Sequence, residues 1–173
     1  MKKSFLAAAL LVASTCLFAQ DAKLTPYSEH TTKHPSFMYR TGYRGDIELS
    51  GSFDKQFLIT TTHGMTFGNG LFAGAGVGFG ADILPDKHVR YVTPFYAAIK
   101  YDFLNYICTP FIGLKAGGVV DVAPQLGLRV MLNPTIGVDI DRVSLYVAYD
   151  WQYGVVLSDA RMSHVKLGVS VAF

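Results

Sequence analysis

Residues 42–53, GYRGDIELSGSF, put Tyr43, Gly45, Ile47, Leu49, Gly51 and Phe53 at one parity and Arg44, Asp46, Glu48, Ser50 and Ser52 at the other. Strand side chains point alternately to two faces, so this is a strand with one apolar and one charged face. A helix would mix the two sets around its circumference. Seven later segments repeat the pattern, and the last ends at Phe173. Eight strands of about 12 residues follow, the length of tilted membrane-spanning strands plus their ends.

The first strand is expected to begin as early as Tyr39, which keeps Arg40 on the face of Arg44. Segment 56–67 aligns Phe57, Ile59, Met65 and Phe67, and 71–83 aligns Leu71, Val77, Phe79 and Ile83 opposite Gly74, Gly76, Gly78, Gly80 and Asp82. The glycine alternation is strict and no helix pattern follows it, so a nucleotide loop is a poor reading. Segment 91–103 sets Tyr91, Phe95, Ile99, Tyr101 and Phe103 against Tyr96, Lys100 and Asp102; 109–120 sets Ile112, Leu114 and Val120 against Lys115. Segment 125–140 opposes a row of Leu, Val and Ile to Arg129, Asn133, Thr135 and Asp139. In 143–154, Val143 to Tyr153 at odd positions oppose Ser144, Tyr146, Asp150 and Gln152; in 162–173, Val165 to Phe173 oppose His164, Lys166 and Ser170.

Gly68-Asn69-Gly70, a turn around Asn105, and Asp141-Arg142 close the tight connections after strands two, four and six. Residues 82–90, 121–124 and the region of Ser158 and Asp159 read as loops at the other end.

Residues 1–19 read as a secretory signal: Lys2 and Lys3, then an apolar run from Phe5, then a cleavage point after Ala19. Acylation at Cys16 is the rival, and it would want a large aliphatic residue at Ala13. Residues 20–38, with Pro26 and Pro35, read as a flexible periplasmic lead-in, and residues 39–173 as the barrel. His30 and His34 could hold a metal on a helix, but Thr31 and Thr32 disfavour one; no metal or cofactor is expected. Removing the two signal lysines brings 15 basic residues to 13, level with 13 acidic ones, so nothing suggests a nucleic-acid partner. Only Cys108 remains after cleavage, which forbids an internal disulfide.

Hydrophobic residues make up 50% of the chain, yet no run outside the signal is long enough for a spanning helix. A closed barrel is the other way to satisfy every backbone hydrogen bond in lipid. A soluble barrel shares the period but buries its apolar face, so the polar face decides. That face carries Arg40, Arg44, Asp46, Glu48, Asp82, Lys100, Asp102, Lys115, Arg129, Asp139, Asp150 and Lys166 among mostly Gly, Ser, Thr and Ala. It is too small and sparsely charged for a soluble exterior and suits a narrow lumen. The expected fold is therefore all-β, an eight-stranded antiparallel up-and-down transmembrane β-barrel. Six bases against six acids in its lumen imply a pairing network, with the glycines at 74, 76, 78 and 80 leaving room for long Arg and Lys side chains.

GYRGDIELSG, TTHGMTFGNGLFAGAGVGFG and LNPTIGVDI resemble the small Gram-negative outer-membrane β-barrel domain family, OmpA/OmpX-like in size. The resemblance implies location in the outer membrane and a lipid environment. It implies that Phe173, closing the VSVAF end, is the recognition signal for the barrel-assembly machinery. A monomer is expected, with no appended peptidoglycan-binding domain.

No catalytic set is evident. Ser163 and His164 are adjacent in a strand and so point to opposite faces. His63 has the lipid-facing parity, where an interfacial polar ring explains it. A structural barrel with a side-chain-filled lumen and no catalysis is the first expectation. A small porin-like pore, a lipid-modifying enzyme and a surface adhesin are the alternatives.

Overall fold

The computed structural model describes residues 39–53, 56–83, 88–123, 126–156 and 161–173. The signal, the lead-in with His30 and His34, and the centres of the connections at 54–55, 84–87, 124–125 and 157–160 lie outside them. Eight strands follow in order: β1 (Thr41–Ser52), β2 (Gln56–Phe67), β3 (Leu71–Ile83), β4 (Val89–Asp102), β5 (Cys108–Ala123), β6 (Gly127–Ile140), β7 (Val143–Val156) and β8 (Arg161–Ala172). Each pairs antiparallel with its chain neighbours, and β8 returns to β1, closing an up-and-down barrel.

Burial follows parity but is inverted relative to a soluble protein. Ile47, Leu49, Phe57, Ile59, Phe79, Ile99, Ile112, Val169 and Val171 are exposed, while Arg44, Asp82, Arg129, Asp139 and Asp150 are buried. A wall that is apolar outside and charged inside is stable with lipid against the outside, where closure leaves no strand edge unpaired.

The turns have local causes. Gly68 and Gly70 hold φ of 77° and 84°, and a Cβ on Gly70 would collide with the Asp102 carbonyl. Asp141 takes the left-handed conformation (φ 56°) in the two-residue hairpin to Val143, which a carboxamide-sized polar side chain tolerates. The β3–β4 ladder skips Gly78 and Phe79 opposite Pro94 and Thr93, and β6–β7 skips Asn133 and Pro134 opposite Asp150 and Tyr149. Proline brings no N–H to either ladder.

Closure is the shortest ladder. β1 pairs β8 over seven residues, Asp46↔Ala172 to Ser52↔Lys166, against eleven for β1–β2. Phe173 extends it: its N–H donates to the Gly45 carbonyl (2.8 Å) and its carbonyl accepts from the Gly45 N–H (3.0 Å). Its ring lies on Gly45, where a Cβ would come within 2.5 Å.

Two expectations about strand ends are corrected. β1 starts at Thr41, so Arg40 precedes it and is exposed rather than inside the lumen. β4 starts at Val89 and β5 runs to Ala123, so Arg90 and Asp121 belong to strands and not to loops.

Candidate functional site

The candidate site is the lumen. Of the twelve charges that parity assigns to it, Arg40 lies outside and the other eleven are on the inner face; Arg90 and Asp121 join them. Both share the parity of the inward residues of their strands, and that signal was available in the sequence. What hid it was the setting: Asp86, Lys87 and His88 before Arg90, and Pro124 after Asp121, read as loop.

At the end remote from the termini, two arginines and two aspartates alternate in a ring. Arg90 meets Asp82 at 3.0 Å and Asp121 at 3.7 Å; Arg129 meets Asp82 at 3.4 Å and pairs closely with Asp121. Gln56 donates to Asp82 (2.5 Å), and Arg129 donates to Gln152, which in turn donates to Asp150 (2.6 Å). Both guanidiniums also donate to the Met162 thioether, at 3.0 and 3.3 Å. Lys166 pairs with Asp150.

At the middle, Glu48 of β1 pairs with Lys115 of β5. Four strands apart in a ring of eight, the two stand on opposite walls, so their pair crosses the lumen. Tyr96 and Tyr146 flank it, with the Lys115 ammonium 5.2 and 5.5 Å from their ring centres. A cavity of about 50 Å³ and another of about 20 Å³ both touch Glu48, Lys115 and Tyr146. Each is room for only a few waters or fewer.

Toward the termini, Lys100 holds Asp139 at 2.6 Å and Ser144 at 3.1 Å and stands 3.9 Å over the Phe111 ring. Arg44 pairs with Asp46 at 2.8 Å and lies over Phe72 at 5.1 Å. Asp102 is buried beside Lys100, Asp139 and Arg44.

The lumen is less polar than expected. Leu58, Phe72, Val92, Phe111, Val119 and Met131 point inward as well as Tyr96 and Tyr146, and Leu58, Val92, Tyr96, Ala98, Val119 and Met131 pack together. The glycines seat rings and aliphatic groups instead of cations. A Cβ on Gly76 would come within 2.6 Å of Tyr96, one on Gly137 within 2.7 Å of Phe111, and one on Gly74 within 2.9 Å of Phe72; Gly168 lies under Tyr146.

On the outer wall, His63 is exposed; its Nδ1 shares a hydrogen bond with the Tyr43 hydroxyl (2.5 Å) and its Nε2 one with the Thr61 hydroxyl (3.0 Å). The trio has no carboxylate. Ser163 and His164 fall on opposite faces of β8, with His164 buried.

The closed ring of eight antiparallel strands, with its apolar exterior and filled lumen, is similar to several solved structures. Neisserial surface protein A superposes with a TM-score of 0.50 and 18% identity, over 76% of this chain and 94% of that one. The Yersinia pestis outer membrane protein Ail superposes with a TM-score of 0.53 and 9% identity, over 78% of this chain and all of that one. The fold is that of the small eight-stranded outer-membrane barrels. The outer membrane enzyme PagL is also similar (TM-score 0.49, 12% identity), too remote to bear on chemistry. No protein-family model and no curated protein matches the sequence.

Proposed function

We propose that this chain is an exported, integral outer-membrane barrel that serves as a scaffold in the membrane, not as a diffusion channel or an enzyme. The observation that carries the reading is the Glu48–Lys115 pair, which crosses the lumen between the rings of Tyr96 and Tyr146. Ions would have to displace a desolvated, hydrogen-bonded pair to pass, and separating its members leaves two uncompensated buried charges. The apolar exterior and the likeness in fold to outer-membrane barrels support the location. The barrel is proposed to work as a monomer. Phe173 is proposed as the residue read by the assembly machinery, in addition to its seat on Gly45.

Planar bilayers test the reading. The wild-type barrel should show at most small, rare conductance steps. Removing both partners, Glu48→Ala with Lys115→Ala, should make openings more frequent and larger. Large, stable openings in the wild type would reject the scaffold reading in favour of a pore.

A further inference from the structure

On the outer faces of β1, β2, β3 and β8 the described side chains include no Asp, Glu, Lys or Arg. Within this apolar surface, Tyr43, His63 and Thr61 form one hydrogen-bonded chain, hydroxyl to imidazole to hydroxyl. The His63 ring stacks on Tyr43 (6.0 Å between centroids) and meets the Phe173 ring edge-on at 6.1 Å. Tyr43 and Phe173 belong to the aromatic rows near the termini, where interfacial girdles sit at the level of lipid headgroups. In the ladder His63 lies between Gly45 of β1, which the Phe173 ring covers, and Ala75 of β3, and Met65 beside it faces Ala73, so on the β3 side small outward residues leave space against the ring.

The hydrogen-bond arithmetic of the trio depends on protonation. A neutral imidazole has one donor and one acceptor nitrogen, so one of the two hydroxyl protons is spent on the ring. An imidazolium donates from both nitrogens, and both hydroxyl oxygens accept. The protons of Tyr43 and Thr61 then turn outward together, on either side of a positive ring. The groups that face His63 are Tyr43 and the chain end at Phe173 from β1 and β8, and Thr61 on its own strand; behind the wall, Arg44 and Asp46 flank Gly45 on the lumen side.

We propose that Tyr43, Thr61 and His63 form a binding site for the phosphate of a membrane phospholipid headgroup, in the leaflet at the termini end, engaged when His63 is protonated. Two hydroxyl donors and a cation suit a phosphate oxygen pair, since hydrogen bonds to a charged acceptor are the strong ones. In neutral form the same trio satisfies itself and presents no charge to the bilayer. The proposal rests on the membrane-barrel reading, and the experiment separates the two.

The mature barrel is inserted into vesicles of phosphatidylglycerol, its folded state verified by heat-modifiable mobility, then extracted in mild detergent for native mass spectrometry. One retained phosphatidylglycerol per barrel is expected, with about fivefold more retained at low pH than at high pH, since only the imidazolium turns both hydroxyl protons outward. Tyr43→Phe with Thr61→Val keeps shape and should lose the lipid about fivefold at the lower pH; His63→Gln should lose the pH dependence. From phosphatidylglycerol vesicles that also contain diacylglycerol, the retained lipid should be phosphatidylglycerol and not diacylglycerol, and millimolar inorganic phosphate should not displace it. Equal retention in the folded double variant, or displacement by inorganic phosphate, overturns the site alone. A wild type that does not insert defeats both readings.

Discussion

The two ends of the lumen hold the same kind of group, a buried cation, by different means. Toward the termini and at the centre, three cations each have an acid and an aromatic face: Arg44 over Phe72, Lys100 over Phe111, Lys115 between Tyr96 and Tyr146. Every one of those rings rests on a glycine, at 74, 137, 76 and 168. At the far end Arg90 and Arg129 share Asp82, Asp121 and the Met162 sulfur. A ring quadrupole partly replaces lost hydration but needs space, so it fixes where glycine must stand. A closed ring of opposite charges needs no such vacancy; it needs every member present. The first device should therefore fail when something is added, and the second when something is removed.

Removal at the far end is the largest expected effect. Arg129→Met leaves Asp82 and Asp121 with Arg90 alone, inside a wall where Arg129 has no exposed surface. Loss of one partner from a buried network costs about 3–5 kcal/mol. The urea midpoint for unfolding from lipid vesicles should fall accordingly. A shift under about 1 kcal/mol would show that the remaining three charges and water rearrange freely, and that the ring is not a unit.

Addition at the centre comes next, and it offers a control of identical chemistry. A Cβ at Gly76 would meet Tyr96 at 2.6 Å and the Thr61 carbonyl at 2.7 Å, whereas at Gly113 the nearest atoms are 3.4 and 3.7 Å away. Gly76→Ala should destabilise by about 1–3 kcal/mol through overpacking. Gly113→Ala should be neutral, or stabilising by up to about 1 kcal/mol because glycine is entropically poor in a strand. The same refolding assay reads both. Equal tolerance at the two positions would mean that the rings are loosely seated and that their glycines are incidental.

These devices were unequally legible in the sequence. The wall was readable because a period of two is imposed by strand geometry itself, and charges such as Asp46 and Glu48 leave no choice of face. The tight turns were readable because Gly68, Gly70 and Asp141 answer to local backbone needs. Parity also put Tyr96, Tyr146 and Gln152 inside, against their neighbours' bulk. It gave no account of Phe72 or Phe111, because an apolar residue on the inner face looks like noise until its glycine is found, two residues on in the same strand for Phe72 and on the neighbouring strand for Phe111. Gly137 and Phe111 are paired by the β5–β6 register, which no single segment encodes. Arg40 failed for the opposite reason: it continues the period of β1 one step past the point where the strand begins. The Thr61–His63–Tyr43 contact likewise depends on the β1–β2 register, and the sequence shows only a lone outward histidine.

The smallest effect concerns Met162, and it decides whether the far-end ring is complete without it. A thioether is a weak acceptor, yet two guanidinium groups donate to it at 3.0 and 3.3 Å. If the four charges satisfy one another, the sulfur serves mainly as packing, and Met162→Leu, close to it in volume, removes one weak bond per arginine. The cost is then about 1 kcal/mol or less, as for exchanges that conserve hydrophobic volume. Measured beside Arg129→Met, the leucine variant should unfold at nearly the wild-type urea midpoint and leave conductance unchanged. A loss approaching that of Arg129→Met would place the sulfur inside the network as a required fifth member. The two ends would then differ less than their charges suggest, since each would hold its cations against a polarisable, uncharged partner.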